Sequence, residues 1–349
     1  MSRFAVVFWT ICVAVAALAT AGWALVGLSG AVSARADAVN HVAPLALAGS
    51  LAVVVLALSV RRRARWIAVL ALGAAGFQAW RVVPELLAPR PPAVAPADTP
   101  DAAAGLTVVT FNARGWHLAD PGPAAAWIMA RNPDIIALQE VHDTGLLLQR
   151  RLEAAGWRHV MDCPRRDGCG TVLLSRQPPL ARSDDAPRRR LPSGWGVFEL
   201  GNGARFAVMS VHLSWPLNRP LDAFPPPLPH QARQMATLAR TVQTELGPDR
   251  TIVLGDFNAT PWSFALGRVV RASGLRRWSR AQFSWPVPAA LDGLVPAPVL
   301  PIDHVLAGDH WRVVSLARGP DLGSDHYPLV ARLVWTGPVP PSTAPAAGG

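Results

Sequence analysis

Three long apolar stretches fill the first quarter of the chain. Phe4 to Val32 carries no charge, Ala43 to Val60 is a second run of 18 residues, and Trp66 to Val83 is broken only by Arg81. An α-helix rises about 1.5 Å per residue, so about 20 residues cross the hydrocarbon core, and three transmembrane helices are expected at about 4–32, 43–60 and 66–83. Pro84 to Ala104 is rich in Pro and Ala, which predicts a stiff, extended linker. From residue 105 the pattern changes to short β-type runs and amphipathic segments. Strands are expected over Leu106–Asn112, Ile135–Gln139, Gly170–Ser175, Gly196–Leu200, Phe206–His212, Thr251–Leu254, Ile302–Ala307, Trp311–Ala317 and Leu329–Trp335. Helices are expected over Ala124–Arg131, His142–Ala155 and Gln231–Leu246, the last with Met235, Leu238, Ala239 and Val242 at helical spacing. The Pro-rich tail, 337–349, is expected to be disordered.

Composition supports this division. The 349 residues are 51% hydrophobic, and the excess is concentrated in the first 83. All 33 basic residues are Arg, and the net charge is +10. Residues 1–100 hold 8 Arg and 3 acids, while 101–349 hold 25 Arg and 20 acids. The excess of +5 over the second stretch is too modest to demand a nucleic-acid partner and suits an anionic lipid or phosphate equally well. Arg61, Arg62, Arg63 and Arg65 follow the second apolar run, and the positive-inside rule places them in the cytoplasm. The loop before that run, with Arg35 against Asp37, then lies outside. The N-terminus is expected inside and everything after residue 83 outside. Arg81 would snorkel to the interface, with Trp66 and Trp80 in the interfacial belts.

Polar residues cluster at or just past the ends of the β-type runs: Thr110-Phe111-Asn112, Leu138-Gln139-Glu140, Val211-His212-Leu213, Gly255-Asp256-Phe257-Asn258, Ile302-Asp303-His304 and Ser324-Asp325-His326. Asp256 and Asn258, two apart at a strand end, point the same way. A sheet that ends its strands in polar residues delivers many ligands to one rim. In this order the motifs resemble the endonuclease/exonuclease/phosphatase superfamily, which includes DNase I-like nucleases, inositol-phosphate phosphatases and sphingomyelinases. The resemblance covers roughly Leu106 to Trp335. It implies an α+β fold, a four-layer αββα sandwich of the DNase I type, for a catalytic domain over 105–336. Pattern alone supports only two packed sheet layers flanked by helices.

The resemblance also implies roles. Glu140, a hard-oxygen ligand, would hold Mg²⁺ (or Mn²⁺), with Asn112 holding the metal or its water and Asp325 a further ligand. Asp256 would orient and deprotonate the attacking water, and Asn258 would steady the phosphoryl oxygens. His326, oriented by Asp303, would face the scissile phosphate, and His212 would protonate or stabilise the leaving group. The sequence shows no carboxylate partner for His212. His304, on the other face of its strand, reads as structural, and so do His41, His117, His142, His159, His230 and His310. Arg176 is either a phosphate contact or a surface residue. Trp262, Trp278 and Trp285 either border the site or fill core.

Cys163 and Cys169 bracket a short polar loop. The pair is compatible with a disulfide, a metal site or two free thiols. No third cysteine is near, and His159 has the wrong spacing for zinc, so an oxidising compartment favours the disulfide. Arg188-Arg189-Arg190 reads as a solvated loop or a contact to anionic headgroups, and Pro216–His230 as a rigid or lipid-facing flank of the site.

Three spans and an outward-facing phosphatase look like the membrane-anchored vancomycin/teicoplanin-resistance-associated phosphatases of bacteria. That resemblance implies a phosphorylated lipid in the membrane, polyprenyl (undecaprenyl) pyrophosphate, as substrate and partner. A nuclease or other phosphodiesterase acting on DNA is the alternative, and a binding protein on an inactive scaffold is a third reading. An enzymatic reporter fused after Ala88 tests the topology: activity is expected only in a format that works outside the cytoplasm, and cytoplasmic activity would refute the third span.

Overall fold

The computed structural model describes residues 2–60, 64–95, 105–114, 118–163, 169–183, 191–217 and 230–339. The expectations for Arg61, Arg62 and Arg63, for 96–104, for Arg188–Arg190, for His117, for 218–229 and for 340–349 fall outside them. The chain divides into two units. One comprises Met1–Pro89, Trp215–Arg233 and Ala259–Arg268, and the other Arg90–Ser214, Gln234–Asn258 and Val269–Gly349.

The first unit is built on α1 (Arg3–Ser29), a 3₁₀ turn (Ala36–Val42), α2 (Ala43–Ala57) and α3 (Trp66–Leu87). Val13, Ala17, Val53, Ala57, Ile67 and Ala71 form its buried seam, where small side chains let helix backbones approach closely. Large apolar side chains such as Phe8, Leu18, Leu45, Val55, Val69 and Leu72 point outward. The stretches Arg3–Ser29, Ala36–Ala57 and Trp66–Leu87 are each long and apolar enough to cross a membrane. Helix α3 runs four residues beyond the expected Val83. Pro84 lacks an N–H, but its carbonyl still accepts from the Ala88 amide at 3.0 Å, so the helix closes its last turn beyond the proline.

Arg81 does not behave as a snorkelling side chain. Its guanidinium donates to the Trp262 carbonyl and lies 3.9 Å over the Phe264 ring. Segment Ala259–Arg268 is held by polar groups of the 3₁₀ turn as well. The Asp37 carboxylate, 2% exposed, accepts from the Phe264 and Ala265 amides at 2.9 and 2.7 Å. It thereby caps the N-terminus of α7 (Phe264–Ser273), the helix after α6 (His230–Thr241), while Arg268 pairs with it at 3.7 Å. His41 lies 3.3 Å from the Thr260 amide, and its carbonyl accepts from Trp262 Nε1 at 2.9 Å.

The second unit holds two six-stranded mixed sheets. The first has the order β11 (Trp311–Arg318), β12 (Leu329–Trp335), β1 (Gly105–Asn112), β2 (Ile135–Gln139), β4 (Val172–Ser175), β3 (His159–Asp162). The second has the order β5 (Ala181–Arg182), β6 (Ser193–Glu199), β7 (Arg205–His212), β8 (Thr251–Asp256), β10 (Asp303–Ala307), β9 (Arg276–Arg277). Leu106, Val108, Ile135 and Ala137 from one sheet meet Phe198, Phe206, Val208, Ile252 and Leu254 from the other in a common core. The alternate positions Val109, Phe111, Ile136 and Leu138 pack with Ile128 of α4 (Pro121–Arg131) and Leu148 and Leu152 of α5 (Thr144–Ala154). This is the expected α+β sandwich of the DNase I type.

The centre of each sheet is a parallel pair, β1 with β2 and β7 with β8. Parallel neighbours end at the same edge, so Asn112 lies beside Gln139 and His212 beside Asp256. Strand β10 runs antiparallel to β8, and its first residue, Asp303, therefore sits opposite Asp256.

Replacing Asp37 by Ala leaves the part-buried Phe264 amide and the buried Ala265 amide unpaired. The expected loss is about 1–3 kcal/mol, seen as a lower unfolding midpoint in detergent. An unchanged midpoint would show that the cap contributes nothing.

Candidate active site

Local backbone geometry turns the strand ends inward. Gly255 has φ +142°, and a Cβ there would lie 2.0 Å from the Val211 carbonyl oxygen of the adjacent strand, so only glycine lets β8 run this close to β7 and deliver Asp256. Arg114, Glu140 and Asn258 take left-handed backbone conformations, with φ of 41°, 52° and 47°. Such residues cost about 1–3 kcal/mol each and persist where surrounding contacts fix them.

Asp256 is the hub. Its carboxylate is buried and accepts from Asn112 Nδ2 at 3.0 Å and from the Asn258 amide at 2.8 Å. His212 Nε2 and His326 Nε2 each lie 3.7 Å from Asp256 Oδ2. Asn112 Nδ2 also reaches Glu140 Oε1 at 3.0 Å, and His212 Nε2 stands 3.7 Å from the same oxygen. The carboxylates near His212, which the sequence did not reveal, are thus Glu140 and Asp256. Behind them, His326 Nδ1 meets Asp303 Oδ2 at 2.8 Å. Asn258 Nδ2 donates to the Leu213 carbonyl at 2.8 Å.

Asp325 is engaged differently. Its Oδ2 pairs with Arg114 at 3.4 Å and accepts from Trp285 Nε1 at 3.0 Å, while its Oδ1 is buried without a hydrogen-bond partner. Ser324 Oγ donates to the Asn112 carbonyl at 2.7 Å, which ties the Asp325–His326 turn to the end of β1. Sequence reasoning missed Arg114 altogether and left Trp285 undecided, since neither ends a β-type run. His304 is buried against Ser279 Oγ at 3.0 Å and against the Phe257 ring, a structural environment. Arg176 bonds Asn132 Oδ1 at 2.8 Å and stacks on Trp157, at the opposite end of β2 from Gln139.

Burial pushes the Asp256 carboxyl up to about 6, the Asp303 charge adds to the rise, and both histidines oppose it. For His326, burial alone would favour the neutral ring. Asp303, Asp256 and Asp325 overcome it and hold the imidazolium up to about 10. Since this lies above the ordinary value of 6.5, the charge pairing stabilises the fold fully below that pH and is lost as pH rises through about 10.

Among the described residues, two sets of donor atoms are close enough to hold a cation: Glu140, His212 and Asp256, and Asp256, Asp303 and His326. The Glu140 and Asp256 carboxylate oxygens suit a hard divalent ion, while Asn112 turns its Nδ2 to them and its Oδ1 to the Arg114 amide, and Asp325, with its unpartnered Oδ1, belongs to neither set. The second set already holds an Asp303–imidazolium pair, so the Glu140 side fits a cation better.

A two-sheet sandwich that gathers carboxylates, amides and two histidines on one rim suits metal-dependent hydrolysis of phosphoesters. The chain belongs to the Endonuclease/Exonuclease/phosphatase family, whose profile matches residues 109–326. It is thus a divalent-metal-dependent hydrolase acting on phosphate-ester or phosphodiester bonds. Among solved structures, an endonuclease/exonuclease/phosphatase from Bacteroides vulgatus is 17% identical, covering 66% of this chain and 99% of that one, with a TM-score of 0.53. One from Beutenbergia cavernae is 22% identical, covering 67% and 72%, with a TM-score of 0.48. Sphingomyelinase C from Streptomyces griseocarneus is 18% identical, covering 65% and 99%, with a TM-score of 0.44. No curated protein matches.

Replacing Asp303 by Asn tests the charge on His326. In metal-free protein its NMR titration midpoint is expected to fall by about 1–3 pH units. An unmoved midpoint would show that Asp303 does not set the charge.

Proposed function

We propose that the chain is a membrane-anchored phosphatase with its active site outside the cytoplasm, acting on polyprenyl pyrophosphate or a related phospholipid. The observation that carries this reading is that one chain joins three helices long and apolar enough to cross a membrane to the domain of a phosphoester-hydrolase family. A phosphate held at a bilayer surface is within reach of an enzyme anchored there. The pairing of Cys163 with Cys169 supports an oxidising compartment.

Glu140, with Asn112 and Asp325, would hold Mg²⁺ or Mn²⁺. When bound, the ion supplies charge that offsets the phosphate's own and polarises phosphorus. The side chains do the rest. The Asp256 carboxylate, anchored by the Asn112 side chain and the Asn258 amide, accepts the proton of the attacking water. His326 is held cationic by Asp303 and neutralises a phosphoryl oxygen as charge builds. His212 gives its proton to the departing oxygen, and Asn258 steadies the phosphoryl oxygens.

Family membership is equally compatible with phosphodiester cleavage, so the assay compares both. Detergent-solubilised protein with Mg²⁺ or Mn²⁺ is expected to release phosphate from polyprenyl pyrophosphate and to leave plasmid DNA intact. Asp256→Ala should reduce release by about 10²–10⁴-fold. DNA cleavage without lipid turnover selects a nuclease, and undiminished release by Asp256→Ala discards the mechanism.

A further inference from the structure

Strands β2 and β4 pair in a regular antiparallel register from Ile135 with Ser175 to Leu138 with Val172. Continued unchanged, that register would bring Glu140 opposite Gly170. Instead the Val141 amide donates to the Gly170 carbonyl at 2.8 Å. One extra residue is therefore accommodated on the β2 side, and Glu140 takes its left-handed conformation at φ +52° within this bulge. Bulges re-aim a side chain at the rim of a sheet. Here the bulge sends the Glu140 carboxylate to Asn112 Nδ2 and to within 3.7 Å of His212 Nε2.

A register shift of one residue needs something to hold it. Val141 packs in the sheet–helix core and the His142 amide donates to the Glu140 carbonyl at 2.8 Å, but packing is incomplete on the side of Gly170. Beside the bulge lies a cavity of about 230 Å³, lined in part by Val141, His142, Gln149, Cys163, Cys169 and Gly170. Gln149 Oε1 is buried there without a hydrogen-bond partner. What does grip the bulge is the Gly170 carbonyl, and Gly170 follows directly on Cys169, which is bonded to Cys163 at the end of β3. Thr171 reinforces the junction. Its carbonyl accepts from the Cys163 amide at 3.4 Å, and its Oγ1 donates to the Cys169 carbonyl at 3.2 Å. Gly170 itself has φ +53°, and a Cβ there would lie 2.6 Å from His142 Nε2 and 3.0 Å from the Val141 nitrogen. A side chain there would displace the His142 ring, press on the Val141 nitrogen and strain the backbone.

We propose that the Cys163–Cys169 disulfide and Gly170 are positioning elements for the metal site: they lock the β2 bulge that presents Glu140 to the cation. Breaking the disulfide frees the Gly170 carbonyl to move, lets the bulge relax towards the unshifted register, and turns Glu140 away from Asn112 and His212. Oxidation of this pair would then be required for full metal affinity, so the enzyme would be assembled fully only on the oxidising side of the membrane. The inference rests on the reading of Glu140 as a metal ligand. It needs no assumption about the substrate.

The test is Mn²⁺ binding to the full-length, detergent-solubilised protein, followed by electron paramagnetic resonance or calorimetry without substrate. Cys163→Ser/Cys169→Ser and, separately, Gly170→Ala with the disulfide intact are expected to weaken Mn²⁺ binding by about tenfold or more, the usual effect of disturbing groups that orient a ligand. Activity of both variants should recover substantially at saturating metal, which a general loss of folded protein would not allow. Unfolding midpoints accompany each titration. If the double variant does not fold, Gly170→Ala alone decides. Wild-type Mn²⁺ affinity in Gly170→Ala, or in a folded double variant, overturns the proposal even where the midpoint falls. Glu140→Gln is the reference: if it binds Mn²⁺ as tightly as wild type, Glu140 is not a ligand and both readings fall. If only the staple variants bind normally, the ligand stands and the staple does not.

Discussion

A carboxylate buried to 1% exposure cannot stay ionised without partners, and the Asp256 carboxylate imposes that requirement on the whole rim. It lies between Asn112 from the first sheet, His212 from its neighbour strand, His326 from the turn before β12 and the Asn258 amide beyond its own strand. Each partner arrives on a different element. The two sheets must therefore stack in one register before the charge is offset, which couples the fold to the site. The same burial that raises the carboxyl towards 6 makes it a better proton acceptor. A bound cation at the Glu140 side would lower that value again and offset the need for the imidazolium. The site is thus built for a charge that the protein alone compensates only in part.

The strand ends were legible because the chemistry sits where an apolar run stops. Asn112, Glu140, His212 and Asp256 follow or end stretches that a sheet must bury, Asp303 opens one, and the structure gathers them on one rim. The strand and helix centres were legible for the same reason, with ends shifted by a few residues. Helix α7 was not read, since Gly267 and the pair Val269-Val270 weaken its helical signal, and its N-terminus is capped by Asp37, more than 200 residues earlier. The short strands β3, β5 and β9 escaped because two to four residues carry no period. Pairings of long sequence separation, such as Arg114 and Trp285 on Asp325, leave no trace in local pattern at all.

The helical unit shows a comparable division of labour. Its seam of small apolar residues follows from composition, while the polar residues within it answered to partners the sequence did not name. Arg81 and Asp37 both look like misplaced charges when read locally. One binds the Trp262 carbonyl and the other the amides that open α7. A charge in an apolar helix is costly unless paired, and here backbone groups of segment Ala259–Arg268 provide the pairing. That segment begins directly after Asn258.

A rim residue held in place by its own backbone needs little further ordering when a ligand binds. Left-handed Glu140 and Asn258 and the glycine at 255 that lets β8 approach β7 all act in this direction. Each removes a degree of freedom from a rim residue. Such rigidity suits phosphoester hydrolysis, in which the protein's contribution is placement of charge rather than covalent chemistry.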